Sequence, residues 1–216
     1  MAYTTLGVTR IGAGALNRQF AAAGLPSLPS DAAMLGGGAS VMLGRWIVGG
    51  QGHALVVGPD VAGGRRLRTA GGYGLVDLGV VAHASPRTRL SLIVGGGAGK
   101  LDLRVRDTAR TSFDSLAQSP RRGVDVSAHT PLWHVGTSFE HALGTRARGA
   151  LVLGLRAGYV GRVGRSEWRT DGDPLEGGPS AMAHGPYVRL VVGSVLPNRR
   201  SAILPALGTA VRWLVP

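Results

Sequence analysis

From about residue 34 onward the chain alternates apolar positions with small or polar ones at period two, and clusters of Gly, Pro and Arg interrupt the alternation. The runs predict strands at 35–43, 46–57, 70–82, 89–99 with a continuation to 106, 130–143, 149–162, 185–195 and 202–214. Short connections alternate with long ones. The short ones are Gly44-Arg45, "SPRTR" (85–89), "GTRARG" (144–149) and "PNRR" (197–200), and the long ones cover about 58–69, 107–129 and 163–184. Hairpins laid side by side in chain order produce this rhythm. It predicts an all-β fold, an antiparallel up-and-down β-barrel of about eight strands with a short N-terminal helix.

The helix is expected over Ala15–Ala23, stopped by Gly24 with Pro26 just beyond it. A further strand is expected at Thr4–Ile11, which brings the count to nine. Single-chain bacterial barrels that cross membranes have even strand numbers. Residues 1–33 are therefore expected to form a strand and helix arm, an addition or plug, and residues 34–216 the barrel domain. No repeat of 20 to 50 residues is visible, which sets aside solenoids and propellers. In "KLDLRVR" (100–106) the charged positions continue the phase held earlier by Leu90, Leu92 and Val94, so this stretch is expected to stand in water beyond the apolar part of its strand.

Sorted by phase, one strand face carries Val76 and Leu78, Leu90 and Leu92, Trp133 and Phe139, Leu151 to Leu155, Val188 to Val192, and Ile203 to Trp213. The other is mostly Gly and Ala, with about one strongly polar group per strand: Asp77, Ser91, His134, Glu140, Arg156, Arg189 and Arg212. A water-facing surface normally carries several charges per strand. A face of small residues with a few ionisable groups suits the interior of a narrow barrel whose apolar face meets lipid. Asp77 and Glu140 would then be matched inside by Arg156, Arg189 and Arg212, because an unpaired buried charge is costly.

In these alternating strands, "GGYGLVDLGVVA" and "RLSLIVGGGAG" among them, with short turns opposite long loops, the chain resembles bacterial outer-membrane β-barrel proteins over about residues 34–214. The resemblance implies membrane association, with the outer membrane as location. It is one of pattern and carries no motif. The chain ends "RWLVP" without the terminal aromatic usual in that family, and it holds only 4 Trp, 4 Tyr and 3 Phe. Its start, "MAYTTLGVTRIGAG", lacks the pattern of a signal peptide.

Charge adds a second feature. The net charge is +12, and of 24 basic residues only Lys100 is lysine. Arg45, Arg87, Arg89, Arg146, Arg148, Arg199 and Arg200 all fall in the short turns, which up-and-down order gathers at one end. Such a rim is expected to dock on an anionic surface, either membrane lipid or a membrane protein complex. Nucleic acid is not an expected partner, because the basic loops "GGRRLR" and "SPRRGVD" lack interleaved aromatics.

Catalytic and cofactor signals are weak. "GGGAGK" (95–100) has Val94 and Leu101 where a P-loop needs Gly and Ser or Thr, and it lies within a strand. His134, Ser138 and Glu140 share a strand face, a composition compatible with a lipid esterase, yet four residues along a strand is about 13 Å, too far for His to activate Ser. "SEWRTDGDPLE" (166–176) lacks the third ligand and the glycine of a calcium loop. No cofactor and no metal are expected. The leading expectation is a non-enzymatic membrane barrel with a structural or binding role. Its rivals are a soluble accessory barrel docked through the arginine rim and, third, a lipid-modifying esterase.

Overall fold

The computed structural model describes residues 1–58, 60–62, 64–107, 123–144 and 149–196. Eight long strands form a closed antiparallel barrel: β1 (Ala2–Ile11), β2 (Asp31–Leu43), β3 (Trp46–Val56), β5 (Arg65–Ala84), β6 (Thr88–Asp107), β7 (Val124–Leu143), β8 (Ala150–Arg162) and β11 (Ala183–Val195). Short β4 (Asp60–Ala62) adds to β5, while β9 (Glu167–Thr170) and β10 (Asp173–Leu175) form a hairpin beside β7. Among the described residues the one helix, α1, spans Gly14–Ala22 between β1 and β2.

The N-terminal strand is where expectation and structure part. β1 is a stave of the barrel, paired along its length with β2 on one side and β11 on the other, so that it closes the sheet. The arm of residues 1–33 is thus half stave and half plug. The strand expected at 202–214 lies outside the described residues. Eight staves without it satisfy closure, because β1 and β11 leave no barrel edge between them.

Among the described residues the short turns Gly44-Arg45 and Ser85–Arg87 lie at one end, and the long connections from β1 to β2 and from β8 to β11 at the other. Much of what reads as long loop is strand. β5, β6 and β7 each run 20 residues, about 66 Å at 3.3 Å per residue, and project past the shorter staves at the loop end. The projecting parts of β5 and β7 read as loop in the sequence because charged and polar residues fill their outward phase, whereas that of β6 is the expected continuation to 106. Asp171 (φ 50°) and Gly172 (φ 94°) form the two-residue hairpin turn between β9 and β10, a conformation that Asp-Gly favours.

The barrel changes character along its length. In its turn-end half the outside is apolar on every stave, from Leu6 on β1 (58% exposed) through Val76 on β5 (67%) to Leu153 and Leu190 on β8 and β11. The inside of this half combines the polar groups with glycines and a few aliphatic side chains, Ile47, Val81, Ile93, Val152 and Val191 among them. In the loop-end half the faces exchange chemistry: Leu67, Leu101, Leu103, Ala128 and Trp168 are buried, and Arg68, Lys100, Arg104 and Arg169 point outward. The β6–β7 ladder runs without a register shift from Thr88↔His141 to Val105↔Val124, so the strands have not flipped. What changes is the residue chosen for each face.

Helix α1 closes the loop end. Nine residues are too few for a helix to be stable alone in water, so it depends on docking. Leu16 and Leu28 enter the apolar cluster with Ala181, Met182 and Tyr187, and the Asn17 side chain bonds the backbone of Leu28 in both directions at 2.8 Å. Gly24 (φ 64°) ends the helix in the left-handed region, and the Leu25 N–H returns to the Phe20 carbonyl at 2.8 Å.

Candidate functional site

The turn-end half of the barrel is filled by a buried polar network with two parts. In the first, Asp77 on β5 accepts both contacts of the Gln51 amide nitrogen (3.0 and 2.8 Å) and a bond from His134 Nε2 at 2.8 Å. Because the carboxylate only accepts, His134 carries its proton on Nε2, and its Nδ1 accepts from the Tyr187 hydroxyl at 3.4 Å. Arg189, 1% exposed, donates to Gln51 Oε1 (2.6 Å), His53 Nε2 (2.8 Å) and the Tyr73 hydroxyl (2.8 Å). His53 Nε2 also lies 2.9 Å from Gln51 Oε1, and its Nδ1 lies 3.3 Å from Thr5 Oγ1. The Arg189 guanidinium also lies 3.9 Å from the Tyr187 ring centroid, a cation–π contact.

In the second part, nearer the turns, Glu140 on β7 accepts from Arg89 Nε at 3.1 Å and again from Nη2, and lies 3.8 Å from Arg156 Nη2. Arg156 donates to Ser138 (3.2 Å) and to the Tyr3 hydroxyl (2.8 Å), with its guanidinium over the Tyr3 ring. Among the described residues, Arg89, Arg156 and Arg189 thus share the interior with Asp77 and Glu140.

Glycine makes this crowding possible. A Cβ on Gly95 would stand 2.5 Å from His134 Nε2, one on Gly136 2.5 Å from the Tyr187 hydroxyl, and one on Gly38 2.7 Å from the Tyr3 hydroxyl. His134 and Tyr3 thus lie across glycines of the adjacent strand, and Tyr187 reaches past β8 to Gly136 on β7. Gly95→Val would drive atoms onto His134 and the Val76 carbonyl, and we expect a loss of about 3 kcal/mol, the upper end of overpacking costs, in denaturant unfolding. Gly96→Ala, one residue on and facing outward with its nearest neighbour at 3.6 Å, should be neutral in the same titration.

Of the residues expected inside, Asp77, His134, Glu140, Arg156 and Arg189 are all buried there, and Arg212 lies outside the described residues. Glu140 faces Arg156 as expected, whereas Asp77 is held by Gln51 and His134, and the hydrogen-bond partners of Arg189 among the described residues are Gln51, His53 and Tyr73. Of the rim arginines, Arg45 and Arg87 are exposed at the turn end, and Arg146, Arg148, Arg199 and Arg200 lie outside the described residues. Arg89 is a correction. It is the second residue of β6, in phase with Ser91 and Ile93, so it points inward, is 7% exposed and belongs to Glu140.

Sequence reading missed Gln51, His53, Tyr3, Tyr73 and Tyr187. The signal existed in "QGHAL", where Gln51 and His53 keep the phase of buried Leu55. Ser138 bonds Arg156 and Glu140, and His134 is engaged by Asp77 and Tyr187, so the serine and histidine of that strand do not meet. No group of three or more His, Cys, Asp or Glu placed to hold a metal occurs among the described residues.

Fold and interior together define a closed eight-stranded antiparallel barrel, plugged at its loop end and filled with a charged hydrogen-bond network. No protein-family model matches this chain, and no curated protein or solved structure matches it either.

Proposed function

We propose that this protein is a membrane-spanning β-barrel of outer-membrane type, a plugged structural or binding barrel with no enzymatic role. The exchange of faces along unbroken strands carries the reading. In water the apolar face of a sheet turns inward, as it does at the loop end. Around the turn-end half the apolar face turns outward on all eight staves while charges are confined inside, the arrangement expected where the surrounding solvent is hydrocarbon. On β11 the outward positions from Pro186 to Leu196 hold no charge, and these 11 residues match the length of a tilted spanning strand. Aromatic residues lie toward both limits of the band: Trp46 beside the turns, and Trp133 with Tyr159, ring centroids 6.0 Å apart, toward the loops.

A conducting role is disfavoured by the filled interior and by α1 seated over the loop end. The docked-accessory alternative loses weight because Arg89 serves Glu140 instead of a partner. Membranes from expressing cells, washed with carbonate and with high salt, test the reading. The protein should stay in the membrane fraction through both washes and migrate faster unheated than boiled on gels. Release by salt alone would favour docking through the remaining rim arginines.

A further inference from the structure

Just beyond the apolar band, the outward face of β5, β6, β7 and β9 holds a cleft of about 690 Å³. Its geometry follows from the register. One row across the strands reads Ala70, Asp102, Ser127, Arg169, and the next toward the loop end reads Arg68, Arg104, Asp125. Small Ala70 and Ser127 form the floor and the long cations the walls, with Lys100 at the side nearest the band.

The ion pairs leave cation to spare. Lys100 bonds Asp102 at 2.8 Å, and Asp125 is shared by Arg104 (3.0 Å) and Arg106 (3.7 Å). Arg68 and Arg169 have no acidic partner among the described residues, while Asp171, at the cleft's edge, is the remaining acid. Directly below the cleft, toward the turns, the outward face is bare: Gly50 and Gly52 on β3, Gly74 on β5, and Gly96 and Ala98 on β6. Packing does not require these four glycines. A Cβ there would meet its nearest neighbour at 3.6 to 4.0 Å, ordinary contact, and none has a positive φ. Together they leave a strip without large side chains between the cleft and the apolar band, with Val76 standing between Gly50 and Gly96 in its lower row and Trp133 on β7 at its edge.

We propose that this face binds a phosphorylated lipid, its phosphate held by Arg68, Arg104 and Arg169 and an acyl chain lying in the glycine track. Guanidinium groups pair with phosphate bidentately, and a phosphate monoester carries the charge that the surplus arginines can match. The inference rests on the membrane reading above, because the track is useful only if it faces hydrocarbon.

The test uses the full chain folded in a zwitterionic detergent and native mass spectrometry with added phosphatidate or phosphatidylcholine of the same acyl chains. Phosphatidate should be retained at least tenfold better. The triple variant Arg68→Gln/Arg104→Gln/Arg169→Gln should lose that preference while keeping its heat-dependent gel shift, and Gly74→Leu/Gly96→Leu should weaken retention with the arginines intact. Equal retention of the two lipids, or full retention by the triple variant, would overturn the proposal. Glycerol phosphate competing as well as phosphatidate would also overturn it, since the cleft would then read free phosphate and the track nothing. If the chain instead folds in plain buffer without any gel shift, it is the membrane reading that fails, and that outcome is distinguishable from the others.

Discussion

Replacing Glu140 by alanine should destabilise the folded barrel by about 3–5 kcal/mol, because the change leaves buried charge unpaired. Glu140 is 2% exposed and is the acid that both Arg89 and Arg156 face. Without it the partners left to the two guanidinium groups among the described residues are Ser138, Tyr3 and the sulfurs of Met1 and Met42. Denaturant titration in detergent, followed by the gel shift, reads the loss. The double variant Glu140→Ala/Arg89→Met should recover part of it, since one cation leaves with the acid and Arg156 keeps its bonds to Ser138 and Tyr3. A coupling of about 1–3 kcal/mol between the two sites is expected for groups in one network. Additive losses would mean that the pair contributes nothing as a pair.

The second large effect concerns the outside. Leu153 sits mid-band on β8, outward, between Leu151 and Leu155. Leu153→Arg should cost about 2–4 kcal/mol for folding into a bilayer, the penalty for arginine near the midplane of a barrel's lipid face. The same exposed position in water would tolerate arginine within about 0.5 kcal/mol. Val61→Arg supplies the internal comparison. Val61 is equally apolar and exposed but lies on β4 at the loop end, where the neighbouring outward residues are already charged, so its substitution should be neutral. Similar costs at both positions would remove the distinction between the two halves.

How far the sequence foretells this depends on the feature. Period-two alternation gives the staves, their order and the inward phase, and so Asp77, His134, Glu140, Arg156 and Arg189 were legible as interior groups. "KLDLRVR" also carried the change of surroundings along β6, because its charges take over the phase of Leu90, Leu92 and Val94. Who bonds whom was not legible. Gln51 and His53 meet Arg189 through sheet closure, since β3 and β11 are separated by β2 and β1 in the barrel yet face one another across its interior. Arg89 illustrates a one-residue limit: a boundary placed at the turn assigns it to the rim, whereas a strand beginning at Thr88 turns it inward. The status of β1 depended likewise on a strand count that included residues 202–214. The glycine content was visible from the start, but its division into interior glycines that admit His134 and Tyr187 and outward ones that packing does not need appears only with the register.

The most direct test of the central claim is tryptophan quenching by brominated lipid acyl chains, applied to folded variants that each retain one tryptophan, with Trp213→Phe throughout. Trp46 and Trp133 point outward on the apolar band, whereas Trp168 is buried in the loop-end core with its Nε1 donating to the Pro179 carbonyl at 2.6 Å. The account predicts strong quenching of Trp46 and Trp133 by bromines on the acyl chains and little for Trp168. Unquenched Trp46 and Trp133 in a correctly folded chain, with both open to a water-soluble quencher instead, would contradict it and show that the apolar band does not face lipid.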